Sequence, residues 1–136
     1  MLANGATLEV KKSGESTFAK LPGLKELPDV GVEPEKVENT TLEDEIKQYE
    51  NGIGDPGDMT YKFKWDNGDA KASYRILREY EKTGETVSFK ETLKDGTTTE
   101  FDAQVAVKRA GAGVNAAMEF DLNLSLQSNL KITDPA

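Results

Sequence analysis

Three runs of the 136-residue chain carry side chains able to do chemistry. Glu43-Asp44-Glu45 offers neighbouring carboxylates, the groups a glycoside hydrolase uses as acid and base. That chemistry needs a fixed separation and a supporting shell, and adjacent acids on a loop have neither. Gly54-Asp55-Pro56-Gly57-Asp58 and Asp66-Asn67-Gly68-Asp69 offer oxygen ligands, but both lack the spaced acids and terminal glutamate of a calcium loop. Turn and helix-cap duties account for them. Gly111-Ala112-Gly113 begins like a dinucleotide loop; the third glycine is missing, and a strand pattern follows where a helix should. The chain has no cysteine and no histidine. That removes disulfides, thiol nucleophiles, Cys/His zinc sites and histidine acid–base or triad chemistry. No enzyme, no cofactor and no metal is expected.

The strongest pattern in the chain is structural. In Ala116–Gln127, Met118, Phe120, Leu122, Leu124 and Leu126 alternate with Glu119, Asp121, Asn123, Ser125 and Gln127. Period two marks a β-strand with one apolar and one polar face. Such a strand would run roughly 34 Å and needs a long partner. Thr97–Arg109 supplies it, with Phe101, Ala103, Val105 and Val107 on one face and Asp102, Gln104 and Lys108 on the other. One face of the pair closes a core; the other is a wide polar wall.

The rest of the chain supports that pair. Thr7–Lys11 alternates with Leu8 and Val10 inward. Turns at Ser13-Gly14 and Pro22-Gly23 bracket Phe18 and Leu21. Leu24 and Leu27 read as core anchors. Val30–Asn39 reads as an extended edge strand, because Pro34 lacks a ladder donor. Met59, Tyr61, Phe63 and Trp65 point inward from the next strand. Asp66 and Asp69 then cap a helix over Ala70–Lys82, with a stripe at Ala70, Tyr74, Leu77 and Tyr80 and a stop at Gly84. Thr86–Leu93 puts Val87, Phe89 and Leu93 inward, and Lys94-Asp95-Gly96-Thr97 turns the hairpin. Residues 129–136 read as a tail in which Leu130 and Ile132 pack. The expected fold is mainly β (α+β): a single domain, an antiparallel β-sandwich or barrel with one flanking helix.

Net charge is −8, and its distribution says more than its size. Glu26–Asp58 holds eleven acids and two bases, so that segment is −9 and the remainder is +1. An acidic chain of this kind does not grip DNA phosphates. Thr40–Asp58 has no clear strand pattern; Leu42, Ile46 and Tyr49 have helical spacing, but Gly52, Gly54, Pro56 and Gly57 end it. A long segment of this type inside a compact domain is usually functional or ordered by a partner. No apolar run reaches the roughly 20 residues of a membrane helix. No signal peptide is readable at the start, so a cytoplasm-like compartment is expected.

The order of these elements resembles a known family. The pattern comprises Gly5, Ala6, Leu8, Val10 and Gly14; Leu21 with Gly23–Leu27; the acidic Thr40–Glu45; and Gly57, Asp58, Tyr61, Phe63 and Trp65 ahead of a single helix, a hairpin and a long final strand. It resembles the tail tube proteins of long-tailed phages, related to contractile-tail and type VI secretion tube proteins. The resemblance implies a structural virion protein, assembled in the host cytoplasm into hexameric rings. The rings stack into a hollow tube that delivers DNA. It further implies four strands per subunit in the inner wall, and tape-measure, tail terminator and tail-tip partners, with no membrane. Six such subunits give about 24 strands and a backbone diameter of about 48 Å, which admits a duplex.

On that reading, Asp102, Gln104, Glu119, Asp121 and Asn123 are lumen candidates. The long loop 40–58, with Leu42, Glu43, Asp44, Glu45, Ile46, Tyr49, Ile53 and Asp55, reaches a neighbouring ring and orders on stacking. The arm 1–5, with Leu2 and Asn4, and the tail, with Leu130 and Ile132, are assembly arms. The chain departs from the resemblance in ending soon after the last strand, without an immunoglobulin-like extension. The competing expectation is a monomeric β-sandwich module that binds a protein or carbohydrate. It would need an exposed aromatic platform, and Tyr61, Phe63, Trp65 and Phe89 carry core-facing parity.

Overall fold

A computed structural model describes the chain except residues 13, 32, 39–40, 42–48, 56–57 and 136. For residues 33–38 and 49–55 the backbone alone is described. The elements are β1 (Thr7–Lys11), β2 (Ala19–Lys20), β3 (Leu24–Glu26), β4 (Glu33–Glu38), β5 (Tyr49–Asp55), β6 (Asp58–Lys64), α1 (Ser73–Thr83), β7 (Val87–Thr92), β8 (Thr98–Arg109), β9 (Glu119–Leu126) and β10 (Lys131–Thr133).

The main sheet runs β2-β1-β7-β8-β9-β6-β3, and every pairing in it is antiparallel. Its terminal strands, β2 and β3, are separated in sequence only by Leu21, Pro22 and Gly23. The four Cα–Cα steps from Lys20 to Leu24 reach roughly 14 Å at most. The sheet therefore curls so that its first and last strands come near each other without pairing, and its apolar face turns inward. β8 makes the bend: Thr98–Ala103 pairs with β7, and Ala103–Arg109 pairs with β9 on its other side. One layer is thus β1, β7 and the first half of β8; the other is the second half of β8, β9, β6 and β3.

Period two decides what is buried. Leu8 and Val10, Met59, Tyr61 and Phe63, Val87 and Phe89, Phe101, Ala103 and Val105, and Phe120, Leu122 and Leu124 form one core. Phe63 stacks on Phe120 at 5.2 Å between ring centroids, and Tyr74 of α1 meets Phe120 edge-on at 5.4 Å. Helix α1 therefore seals the apolar side of the second layer, through buried Leu77 and half-buried Tyr74, Ile76 and Tyr80. That layer's polar side lies on the opposite face of the sheet. Gly84 ends the helix in the left-handed conformation, φ 68°, where its N–H reaches the Tyr80 carbonyl.

Five local expectations change. The helix starts at Ser73, after Ala72, with no side-chain cap. Asp66 and Asp69 instead accept from the N–H of Gly68 and Lys71, closing tight turns ahead of it. The last long strand starts at Glu119, and Met118, just ahead of it, is 40% exposed although its carbonyl accepts from the Trp65 N–H. The expected tail re-enters the sheet: Lys131, Ile132 and Thr133 pair with Glu100, Thr99 and Thr98. Leu130 packs on the core and Ile132 is 57% exposed. Finally, Tyr49–Asp55 is no helix or open loop but a strand paired with Glu33–Glu38. A two-stranded ladder rests on backbone hydrogen bonds and needs no side-chain period, so Gly52 and Gly54 do not prevent it. Among the described residues no helix is long and apolar enough to cross a membrane.

Candidate functional surface

The polar side of the second layer is built by registration of three strands. Gln104 lies beside Ser125 and Asp58, Ala106 beside Asn123 and Thr60, Lys108 beside Asp121 and Lys62, and Glu119 beside Lys64. The first three rows cross β8, β9 and β6, and the fourth joins β9 and β6, all on the face opposite the core. Thr60 Oγ1 donates to Asn123 Oδ1 at 2.8 Å. Lys25 of β3 donates to Glu119 Oε1 at 2.6 Å, and that bond holds the Glu119 carboxyl below its usual range. Asp121 lies in register between Lys62 and Lys108, and Glu119 opposite Lys64, while Asp58 lies opposite Ser125. Opposite charges across strands add a few tenths to about 1 kcal/mol each, and the balance leaves the surface near neutrality. Its chemistry is that of a hydrated wall.

Four of the five lumen candidates share this face: Gln104, Glu119, Asp121 and Asn123. Asp102 does not. It precedes the bend at Ala103, accepts from Ser88 Oγ at 2.6 Å, and its N–H donates to Ser128 Oγ at 2.9 Å. It lines a separate polar groove with Lys11, Phe18, Glu100 and Asn129. The sequence pattern grouped them because parity survives a bend that it does not mark. Thr60, Lys62 and Lys64 lie on the same face, as their outward parity on β6 indicates.

Of the loop residues, Tyr49, Ile53 and Asp55 fall on β5, with Tyr49 opposite Glu38 and Asp55 opposite Glu33. Leu42, Glu43, Asp44, Glu45 and Ile46 lie outside the described residues. Among the arm residues Leu2 is 79% exposed and Asn4 sits in an exposed turn. Tyr61, Phe63 and Phe89 are buried and Trp65 packs on Tyr74, so they make no binding platform.

A second feature is the edge of β8. The N–H of Ala110 bonds the Glu119 carbonyl, and that of Gln127 bonds the Asp102 carbonyl. In an antiparallel ladder such bonds recur at alternate residues. Even-numbered residues of β8 thus turn their backbone groups to β9. Those of Val105, Val107 and Arg109 point the other way, where no strand of the described residues pairs with them.

A curled antiparallel sheet with one helix, a neutral polar wall and an open strand edge defines a structural subunit, one whose surfaces suit assembly more than turnover. Residues 1–129 match the family described as phage tail tube, TTP, lambda-like, and the chain belongs to that family. It is a structural protein of the tail tube, not an enzyme. Comparison with curated protein sequences finds no match. Among solved structures, the fold is similar to a chain in the tail of an empty gene transfer agent particle, refined with C6 symmetry: TM-score 0.73, 20% identity, 96% of this chain and 98% of that one covered. It is similar to a chain of the sheath/tube terminator of the extracellular contractile injection system PVC, with TM-score 0.77, 9% identity, and coverage of 98% and 96%. It is also similar to the SPP1 tail tube, with TM-score 0.65, 13% identity, and coverage of 95% and 76%.

Proposed function

We propose that copies of this chain close into hexameric rings that stack into the hollow tail tube through which phage DNA is delivered. The observation that carries this reading is the run of Val105, Val107 and Arg109, whose backbone groups no strand of the described residues pairs, on the layer that bears the polar wall. That layer has four strands in the order β8-β9-β6-β3. An unpaired edge is a template for another strand. If the edge of one copy receives the β3 edge of the next, the four-stranded layers join into a continuous barrel, and closure removes every edge. The six-fold symmetry of the gene transfer agent tail supports the ring size.

On this reading Gln104, Lys108, Glu119, Asp121, Asn123, Thr60 and Lys62 line the lumen. Balanced charge suits passage: a basic wall would hold phosphate through counterion release and stall the duplex. The hairpin of β4 and β5, with the acidic segment between them, reaches the neighbouring ring. The segment 1–5 and the residues after β9 act as assembly arms. Tape-measure, tail terminator and tail-tip proteins are the further partners, and assembly takes place in the bacterial cytoplasm before the tail joins the virion.

Negative-stain electron microscopy of the concentrated protein tests the reading. Rings or hollow tubes with six-fold end views are expected. Dispersed single subunits at every concentration and salt would overturn it.

A further inference from the structure

Among the described residues the core holds one carboxyl group, which wall-building does not use. Glu91 follows Val87 and Phe89 at period two on β7, so strand geometry aims it inward. It is 4% exposed. Beside it on the same face lie Leu8 of β1 and Thr99 of β8. The hydroxyl of fully buried Tyr61 on β6 donates to its Oε2. β6 and β7 are not neighbours, for β8 and β9 stand between them in the sheet. The bond therefore crosses the core from one layer to the other. The nearest charges in register, Glu9, Lys90 and Glu100, alternate onto the opposite face. Among the described residues Tyr61 is the titratable group that acts on Glu91, and no cation compensates it.

We propose that the Tyr61–Glu91 pair is a proton-operated latch between the two layers: protonated Glu91 holds them together, and the ionised carboxylate loosens them. A neutral carboxyl both donates and accepts, which suits a site with one hydroxyl and one threonine beside it. An ionised carboxylate there has left water and met no counter-charge. Burial accordingly raises Glu91 above the ordinary carboxylate range, with the Tyr61 hydrogen bond opposing in part. Tyr61 is itself raised, by burial first and by Glu91 second, so it stays a neutral donor. The sign follows from linkage. A carboxyl raised in the fold contributes stability that is fully present below its unfolded pKa and is lost as pH rises through the folded one. This is opposite to the usual salt-bridged carboxylate, and it does not depend on assembly.

Urea unfolding from about pH 4 to about pH 9, with the Glu91 carboxyl carbon followed by NMR, tests the latch. The wild-type midpoint should fall as pH rises, and the Glu91 resonance should titrate above the exposed glutamates. Glu91→Gln keeps an acceptor for Tyr61 and cannot ionise, so its midpoint should lack that fall. Tyr61→Phe should lower the midpoint by on the order of 1 M urea at low pH. A Gln variant that follows the wild-type pH profile would overturn the proposal. So would a Glu91 resonance that titrates with the surface glutamates, a measurement that needs no variant to fold.

Discussion

At the scale of single residues, stability rests on a few aromatic contacts and one buried polar pair. Phe120 is the best placed: fully buried, stacked on Phe63, and capped by Tyr74 from the helix. It joins β6, β9 and α1 at one point. Phe120→Ala should cost about 3–5 kcal/mol, because transfer and cavity losses add and a ring sandwiched between rings cannot be replaced by collapse. A urea titration reads this directly, and a loss below about 1 kcal/mol would mean the helix does not bear on the sheet. Phe120 was legible in the sequence, since alternation alone placed it inward. Glu91 was not read from the same alternation. Its parity with Val87 and Phe89 pointed inward, but a charged type argues for the surface, and only the Tyr61 hydroxyl from a distant strand explains the exception.

At the scale of elements, long regular strands were legible and short or irregular ones were not. β8 and β9 announce themselves because one face is buried along their length. β5 does not: its partner is β4, and pairing at a distance leaves no mark in a seven-residue stretch containing two glycines. The bend at Ala103, which separates Asp102 from Gln104, is invisible for a related reason, since both remain on polar parity. The hairpin of β4 and β5 makes its own prediction. It pairs with itself, as a separate two-stranded sheet. Removing Glu43–Glu50 should therefore leave the main core folded, with an unchanged unfolding transition for the barrel, while stacking fails. The acidic surplus of the chain resides there. Normal tubes from the deletion, seen by electron microscopy, would refute an inter-ring role.

At the scale of the whole molecule, the decisive feature is an asymmetry between two layers. The layer of β1 and β7 ends in short strands, and β10 fills the far side of the first half of β8. The second half of β8 has no strand on that side among the described residues, and the backbone groups of Val105, Val107 and Arg109 point to it. Val105 and Val107 also pack on the core, so changing them would confuse folding with assembly. Arg109 is exposed, and its N–H takes no part in the ladder with β9. Arg109→Pro removes one edge donor and puts a ring where the next strand must lie. Because the internal ladder keeps all its bonds, the monomer should lose no more than about 1 kcal/mol. Circular dichroism should be unchanged, and the unfolding midpoint nearly so. Tubes, by contrast, should shorten or vanish, because the same lesion recurs at every junction of every ring. Should full-length tubes form from a variant whose monomer is intact, the junction lies elsewhere on the surface, and the polar wall of β8, β9 and β6 would lose its claim to face a lumen.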